Sequence, residues 1–183
     1  MSKVCVFLAA GFEECEGLLA VDLLRRAGVE VTTAAVGGGR TVVGSHGIPV
    51  GADALIEDLD LTGFDLLVLP GGIPGTPNLK ASPLVCKALT DQYTAGKRVA
   101  AICAAPSVLG SLEFLRGRRA TCYPGFEPEL LGAVHVSDPV VTDGIVTTAT
   151  GLGTAIPFAL ELVSLMVSPE KAAEVGAAIQ YKA

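Results

Sequence analysis

The sequence has few basic residues: 13 lysines and arginines stand against 19 aspartates and glutamates, which gives a formal net charge of −6. Nucleic-acid-binding proteins need clustered Lys and Arg, so this balance argues against a nucleic-acid partner. No basic amphipathic stretch suggests contact with a membrane surface, and no run of about 18 apolar residues could form a membrane-spanning helix. The apolar start at residues 4–8 is too short for a signal peptide and runs into acidic residues 13–16. We therefore expect a cytoplasmic protein that binds neither nucleic acid nor membrane.

The sequence also lacks C-x-x-C pairs, and its five cysteines are widely scattered at Cys5, Cys15, Cys86, Cys103 and Cys122. An odd number at such spacings excludes a disulfide framework and argues against a zinc site. There are only two histidines, His46 and His135, which weakens any other metal site. Neither G-x-G-x-x-G nor a Walker pattern is present, so no nucleotide is indicated. We expect neither a metal nor a cofactor.

What the sequence does have is apolar character: 50% of its 183 residues are hydrophobic and only 17% are charged. This composition fits a sheet that is covered on both faces, and it often leaves apolar surface for contact between identical subunits. The length suits one domain. Because there is no linker, internal repeat or low-complexity segment, we predict a single domain over residues 1–183.

Strand patterns alternate with helix patterns along the chain. Apolar runs predict strands at residues 3–8, 29–36, 64–69 and 99–102, and weaker signals predict strands at 119–123 and 134–136. Helices are predicted at residues 18–27, 83–95, 154–167 and 169–179. Asp143-Gly144 predicts a hairpin, and a small β excursion is expected at 41–50. We expect loops at 9–17 and 70–78 and a weak helical turn or irregular connection at 54–60. The alternation predicts an α/β fold with a doubly wound, mostly parallel sheet.

One thiol, Cys103, lies where a predicted strand runs directly into a helix that has Pro106 in its first turn. The first helical N–H groups and the helix dipole favour a thiolate at such a position. A free cysteine is, however, often just a buried apolar residue. Parallel sheets bind ligands beyond the carboxyl ends of their strands, so we expect the loops after Leu8 and Leu69 to converge on Cys103.

These two loops supply the groups that a nucleophilic thiol needs. The backbone N–H groups of Gly72 and Ala104 could stabilise an oxyanion. Glu13 and Glu14 fit a solvated loop or a helix start, whereas Glu16 is placed to approach the sulfur. Like charges at short range raise one pKa, so we predict a protonated Glu16 that donates a hydrogen bond to the Cys103 thiolate.

Six motifs occur in a characteristic order: residues 11–16 (GFEECE), 25–28 (RRAG), 69–72 (LPGG), 101–106 (AICAAP), 121–124 (TCYP) and 151–154 (GLGT). With these motifs the chain resembles the DJ-one/ThiJ/PfpI superfamily, whose domain is related to class I glutamine amidotransferases, in the branch of the Parkinson-disease protein deglycase. The resemblance covers essentially the whole chain.

The resemblance implies a flavodoxin-like sandwich and a homodimer, for whose surface we expect the Cys15 loop and the helix at 18–27. It implies Cys103 as nucleophile, Glu16 as its protonated partner, and Gly72 with Ala104 as oxyanion donors. The remaining pocket candidates are Glu13, His46, Gly71, Tyr123, Gly151 and Leu152. The implied activity is cofactor-independent glyoxalase or deglycase chemistry on methylglyoxal and related reactive carbonyls. The alternative is a non-enzymatic, chaperone-like stress protein that senses peroxide through oxidation of Cys103 to a sulfinic acid.

One position departs from the family pattern. Some relatives carry a histidine just before the proline that corresponds to Pro124, and here that residue is Tyr123. Neither His46 nor His135 replaces it, and His135 is expected to be structural. A cysteine peptidase or amidohydrolase would lack its general base, so it is the weakest alternative.

Overall fold

The computed structural model describes residues 2–182. The strands are β1 (Lys3–Ala9), β2 (Glu30–Val36), β3 (Thr41–Val43), β4 (Pro49–Gly51), β5 (Ala54–Leu55), β6 (Leu66–Leu69), β7 (Arg98–Ile102), β8 (Arg119–Ala120), β9 (Val134–His135), β10 (Val140–Asp143) and β11 (Val146–Ala149). The α-helices are α1 (Glu14–Arg26), α2 (Gly75–Ala81), α3 (Pro83–Thr94), α4 (Pro106–Ser111), α5 (Ala155–Met166) and α6 (Pro169–Ala178).

Seven strands form the central sheet in the order β10-β11-β7-β6-β1-β2-β5. All neighbours are parallel except β10 and β11, which form the antiparallel hairpin predicted from Asp143-Gly144. β3 and β4 make the small antiparallel excursion, and β8 pairs with β9 in a second small sheet. The predicted α/β class and flavodoxin-like order are confirmed. In particular, β1, β6 and β7 lie side by side, so their carboxyl ends share one edge.

Both faces of the sheet are buried, as the uninterrupted apolar strand runs predicted. Alternate residues of β1 belong to different cores: Val4, Val6 and Leu8 pack on the side of α1, α5 and α6. Their neighbours in the strand, such as Phe7, pack on the side of α2, α3 and α4. The period-two alternation of side chains thus places one helical layer on each face. Within residues 2–182, no helix has the length and apolar character needed to cross a membrane.

Two predicted elements at the edge that carries the site are wrong in their bounds. α1 begins at Glu14 instead of residue 18, because the Glu13 side chain caps the helix by accepting a hydrogen bond from the Glu16 N–H. The predicted strand at 119–123 ends at Ala120. Beyond it, the Thr121 N–H donates to Thr148 Oγ1 and the Tyr123 N–H donates to the Cys103 carbonyl, so the chain leaves strand pairing.

Two further segments gain regular structure that was not predicted. Residues 75–81 form α2, whose Leu79 is completely buried in the core, although Pro74, Gly75 and Pro77 favoured a loop. Residues 54–55 pair with β2 as the edge strand β5. In both cases tertiary packing outweighs weak local propensity.

Candidate active site

Cys103 lies in the tight connection between β7 and α4, at the carboxyl edge of the sheet. Its φ is +66°, a left-handed conformation that is uncommon outside glycine and costs free energy. Two backbone hydrogen bonds hold it: the Cys103 N–H donates to the Ala149 carbonyl at 3.0 Å, and the Cys103 carbonyl accepts from the Tyr123 N–H at 2.8 Å. The backbone segments at Ala149 and Tyr123 therefore hold Cys103 in place and fix the direction of its thiol.

The Glu16 side chain reaches the same place from the first turn of α1 and is almost completely buried, with 1% of the residue exposed. The Gly71 N–H donates to Glu16 Oε2 at 2.9 Å, and the carboxyl group is hydrogen-bonded to Cys103. Burial raises the pKa of Glu16 to about 7, against the lowering effect of these hydrogen bonds; the charge of Glu13 also raises it. Glu16 therefore titrates in the neutral range, and its role as the protonated partner of the Cys103 thiolate stays a prediction.

A closed ring of three hydrogen bonds orients this carboxyl group. The Glu13 N–H donates to the Gly71 carbonyl at 2.9 Å, the Gly71 N–H donates to Glu16 Oε2 at 2.9 Å, and the Glu16 N–H donates to Glu13 Oε2 at 2.7 Å. The ring joins the start of α1 to the loop after β6. Glu13, predicted as a pocket residue, thus holds the acid in place.

The two glycines of this loop are required by space and by backbone conformation. A Cβ atom at Gly71 would lie 2.5 Å from Cys103 Cβ and 2.7 Å from Glu16 Oε2. Gly72 has a φ of +93°, and a Cβ there would lie 2.6 Å from the Gly11 carbonyl oxygen. Only glycine lets the loop backbone approach the thiol and the acid this closely.

The environment of the Cys103 sulfur differs from the one that the sequence predicted. Burial, followed by the negative charge of an ionised Glu16 and its hydrogen bond, raises the pKa of Cys103 to about 12, while the N–H groups of Ala104 and Gly72 lower it. The predicted lowering of the thiol pKa is therefore wrong, because the sequence argument omitted desolvation. When Glu16 carries the proton its repulsion disappears, but burial, the largest cause, still raises the pKa of Cys103.

Tyr123 and Gly151 close the other side of the carboxyl group. A Cβ atom at Gly151 would lie 3.2 Å from Cδ2 of the Tyr123 ring and 3.9 Å from Glu16 Oε1. Leu152 follows in a 3₁₀ turn with about half of its surface exposed, and its place in the pocket stays a prediction. Tyr123 is also half-exposed. Cys103 itself is partly exposed.

His46 is hydrogen-bonded to Glu14 and is not part of the Cys103–Glu16 pair. It connects the β3–β4 loop to α1. Its Nδ1 lies 3.0 Å from Glu14 Oε2 and 3.9 Å from Glu13 Oε1, and the N–H groups of His46 and Ile48 donate to Glu14 Oε1 at 2.9 and 3.3 Å. Although burial raises it, these hydrogen bonds lower the pKa of Glu14 to about 2. No role beyond a loop or helix start was predicted for Glu14, because its partners come from a distant loop.

Glu13, Glu14 and His46 also bring ligating atoms within 4.8 Å of one another, a spacing that could hold a metal ion. Both oxygens of Glu14 already accept hydrogen bonds from residues 45–48. These hydrogen bonds show that the cluster acts as a structural clamp, which holds the β3–β4 loop against α1.

His135, predicted to be structural, is exposed on β9 and lies beside a cavity of about 180 Å³ lined by Cys122 and Glu127.

Comparison with known proteins places the chain in a family. Residues 2–165 match the model of the DJ-1/PfpI family. Protein dj-1beta of Drosophila melanogaster is 40% identical over 178 residues, which cover 96% of this chain and 95% of the relative. DJ-1 homolog B of Arabidopsis thaliana is 41% identical over 94% of this chain, which spans only 40% of that longer relative. A protein of Pyrococcus abyssi named as a deglycase is 32% identical over 90% of this chain and 99% of the relative.

Solved structures agree with these matches. Oxidized DJ-1 of Toxoplasma gondii superposes with a TM-score of 0.96 at 34% identity, and DJ-1beta of Drosophila melanogaster with a TM-score of 0.95 at 38% identity. Both comparisons cover 100% of each chain. The match over most of the chain, the fold, and the Cys103–Glu16 pair at the edge of the sheet lead to one conclusion: the chain belongs to the DJ-1/PfpI family.

Proposed function

We propose that this chain is a cysteine-dependent, cofactor-independent enzyme of glyoxalase or deglycase type, which acts on methylglyoxal or related reactive carbonyls. One observation carries the proposal: the Cys103 thiol, a buried Glu16 with a pKa of about 7, and the N–H groups of Gly72 and Ala104 meet at one point. A nucleophile, an acid–base group and anion-stabilising donors suffice for addition to an aldehyde. The family relationship to a protein named as a deglycase supports it.

In the first step, the proton of the Cys103 thiol moves to the carboxylate of Glu16. The thiolate then adds to the aldehyde carbon of methylglyoxal. A carbon–sulfur bond forms, the carbonyl π bond breaks, and its electron pair moves to oxygen. The N–H groups of Gly72 and Ala104, which point to the sulfur, are close to where this oxygen forms, and Glu16 returns its proton to the oxygen. The product is a neutral hemithioacetal on Cys103.

In the second step, the Glu16 carboxylate removes the proton from the former aldehyde carbon, and the electron pair of that C–H bond forms the carbon–carbon double bond of an enediolate with its negative charge on the former ketone oxygen. Glu16 then delivers that proton to the former ketone carbon, the hydroxyl proton of the hemithioacetal moves to the former ketone oxygen, and the hemithioacetal carbon becomes the carbonyl of a thioester. Water hydrolyses the thioester, releases lactate and regenerates the thiol. One carbon is oxidised and its neighbour is reduced, so the sum is methylglyoxal plus water to lactic acid. No external oxidant or reductant is required.

A second candidate is a stress protein that senses peroxide through Cys103. The observation in its favour is the superposition on a DJ-1 structure determined in oxidized form, together with the partial exposure of the Cys103 residue. A protonated Glu16 could donate a hydrogen bond to a Cys103 sulfinate. The two roles are compatible, because oxidation would remove the nucleophile.

The test follows methylglyoxal consumption and lactate formation in C103S and E16Q variants, with C86S as a matched cysteine control on α3. We expect C103S to lose activity at least about 10³-fold and E16Q about 10²- to 10⁴-fold, while C86S keeps it. Undiminished rates in C103S and E16Q would overturn the proposal. Intact mass after mild peroxide tests the second candidate, since no two-oxygen adduct on Cys103 would reject it.

A further inference from the structure

The Glu16 carboxyl group is covered differently at its two oxygens. Oε2 accepts the hydrogen bond from the Gly71 N–H. Oε1 faces Gly151, which has no side chain to cover it. The space that a Cβ at Gly151 would enter is bounded by Glu16 Oε1 at 3.9 Å and by the Tyr123 ring at 3.2 Å. The Tyr123 ring and Glu16 Oε1 therefore border the same space beside Gly151.

Glycine is favoured at position 151 by the limited space around it and not by its backbone conformation. The φ of Gly151 is 160°, which is extended backbone open to other residues. A Cβ at 3.2 Å from Cδ2 would instead press on the Tyr123 ring. A glycine at 151 and an aromatic ring at 123 are thus complementary.

We propose that Tyr123 is a positioning residue that works through Glu16: its ring, packed over Gly151, keeps water from the Oε1 side of the carboxyl group. Its backbone N–H meanwhile holds the Cys103 carbonyl at 2.8 Å. One residue then serves both members of the pair, the sulfur through its backbone and the acid through its ring. The ring has this effect without contacting the reacting atoms.

Removal of the Tyr123 ring is expected to change the pKa of Glu16. The titratable groups coupled to Glu16 are Cys103, from the β7–α4 turn, and Glu13 and Cys15, at the start of its own helix. A substitution at position 123 leaves these three residues in the sequence. Since burial is the largest cause of the raised pKa of Glu16, admission of water at Oε1 lowers that pKa towards its ordinary value.

The experiment measures the titration midpoint of the Glu16 carboxyl carbon by NMR on ¹³C-glutamate-labelled protein, with the signal assigned by its loss in E16Q. The variants are Y123F, Y123L and Y123A, and Y181A is a matched control at the distant end of α6. We expect the midpoint near pH 7 in the wild type and in Y123F, which keeps the ring. We expect a fall of about one pH unit or more in Y123A and an intermediate fall in Y123L. Tyr123 is half-exposed, so these variants leave no cavity in the core.

An unchanged midpoint in Y123A, or a fall in Y123F equal to that in Y123A, would overturn the assignment, since the second result would point to the phenol oxygen instead of the ring. A shift in Y181A of the same size would also overturn it. The role of the Glu16 proton in the reaction rests on the proposed function, whereas the NMR titration midpoint can be measured without any turnover of substrate. A shifted midpoint in a protein that does not consume methylglyoxal would therefore reject the proposed function and leave the role of Tyr123 standing.

Discussion

At the scale of single residues, the site depends on a missing side chain at Gly71. An alanine Cβ there would lie 2.5 Å from Cys103 Cβ and 2.7 Å from Glu16 Oε2. We expect G71A to separate the thiol from the acid, to lower kcat/KM at least about 10²-fold, and to destabilise the fold by about 1–3 kcal/mol through overpacking. Activity assays and urea unfolding check this expectation. G63A is the matched control, because a Cβ at Gly63 meets nothing within 4 Å; equal effects of the two changes would contradict the prediction.

The raised pKa of Glu16 gives stability a definite pH dependence. The folded value of about 7 lies above the ordinary 4.5, so between these values the folded state holds a proton that the unfolded chain releases. The contribution of Glu16 to stability is complete below about pH 4.5 and is lost as the pH rises to about 7. We expect the wild type to lose at most about 3 kcal/mol relative to E16Q over this interval. Urea unfolding of both proteins across the interval measures the difference, and parallel curves would disprove it.

At the residue scale, the sequence indicates which residues meet where backbone position decides it. Cys103, Glu16, Gly71 and Gly72 meet because strand ends share an edge, whereas their catalytic roles stay predictions. The direction of the thiol pKa was wrong because desolvation depends on what covers the sulfur. That cover comes from segments distant in sequence, such as the start of α1 and the loop after β6, and no local pattern encodes it.

At the scale of elements, Glu14 ties the β3–β4 hairpin to the first turn of α1. The residue is 2% exposed, and its carboxylate accepts the N–H groups of His46 and Ile48. We expect E14Q to loosen the loop at residues 44–48 and to cost about 1–3 kcal/mol, because the amide keeps one acceptor oxygen but puts an NH₂ donor in place of the Oε2 that binds Ser45 Oγ and His46 Nδ1. Hydrogen exchange of the loop amides should accelerate. E57Q, on an exposed 3₁₀ turn, should leave the exchange unchanged.

The same clamp should open in acid. The pKa of Glu14 is held at about 2, below the ordinary 4.5, so its stabilising contribution is present above about pH 4.5 and is lost as the pH falls towards 2. Faster exchange of the loop amides over this interval in the wild type, but not in E14Q, is the expected signature. A hairpin that stays equally protected in both proteins at all pH values would contradict this role.

Element bounds were predictable where the apolar period was strong. The four core strands were predicted within about two residues, because buried parallel strands are uninterrupted apolar runs. α1 began four residues early since its cap is a glutamate, a residue that rarely caps helices. α2 was missed because prolines and glycines signal loops locally, while Leu79 buries the segment in the core. Such packing appears only once the sheet has formed.

At the scale of the whole molecule, the doubly wound sheet was predicted from the alternation of strands and helices, and its flavodoxin-like order from the family resemblance. A single domain over residues 1–183 and a homodimer stay predictions. The dimer prediction places the contact on the α1 side of the sheet, at the Cys15 loop and the helix that follows. There Cys15 is exposed and Leu18 is 40% exposed. Exposed apolar side chains on a helix are typical of contacts between identical subunits.

A matched pair of substitutions tests this surface. Leu84 on α3 is 43% exposed, nearly the same as Leu18 at 40%, but it lies on the opposite face of the sheet. We expect the wild type to sediment at twice 18.6 kDa, L18E to dissociate towards the single-chain mass because a charge in an apolar interface is costly, and L84E to remain dimeric. A wild-type mass of 18.6 kDa would refute the dimer. Dissociation by L84E and not by L18E would move the contact to the α3 face, so the experiment tests the surface as well as the stoichiometry.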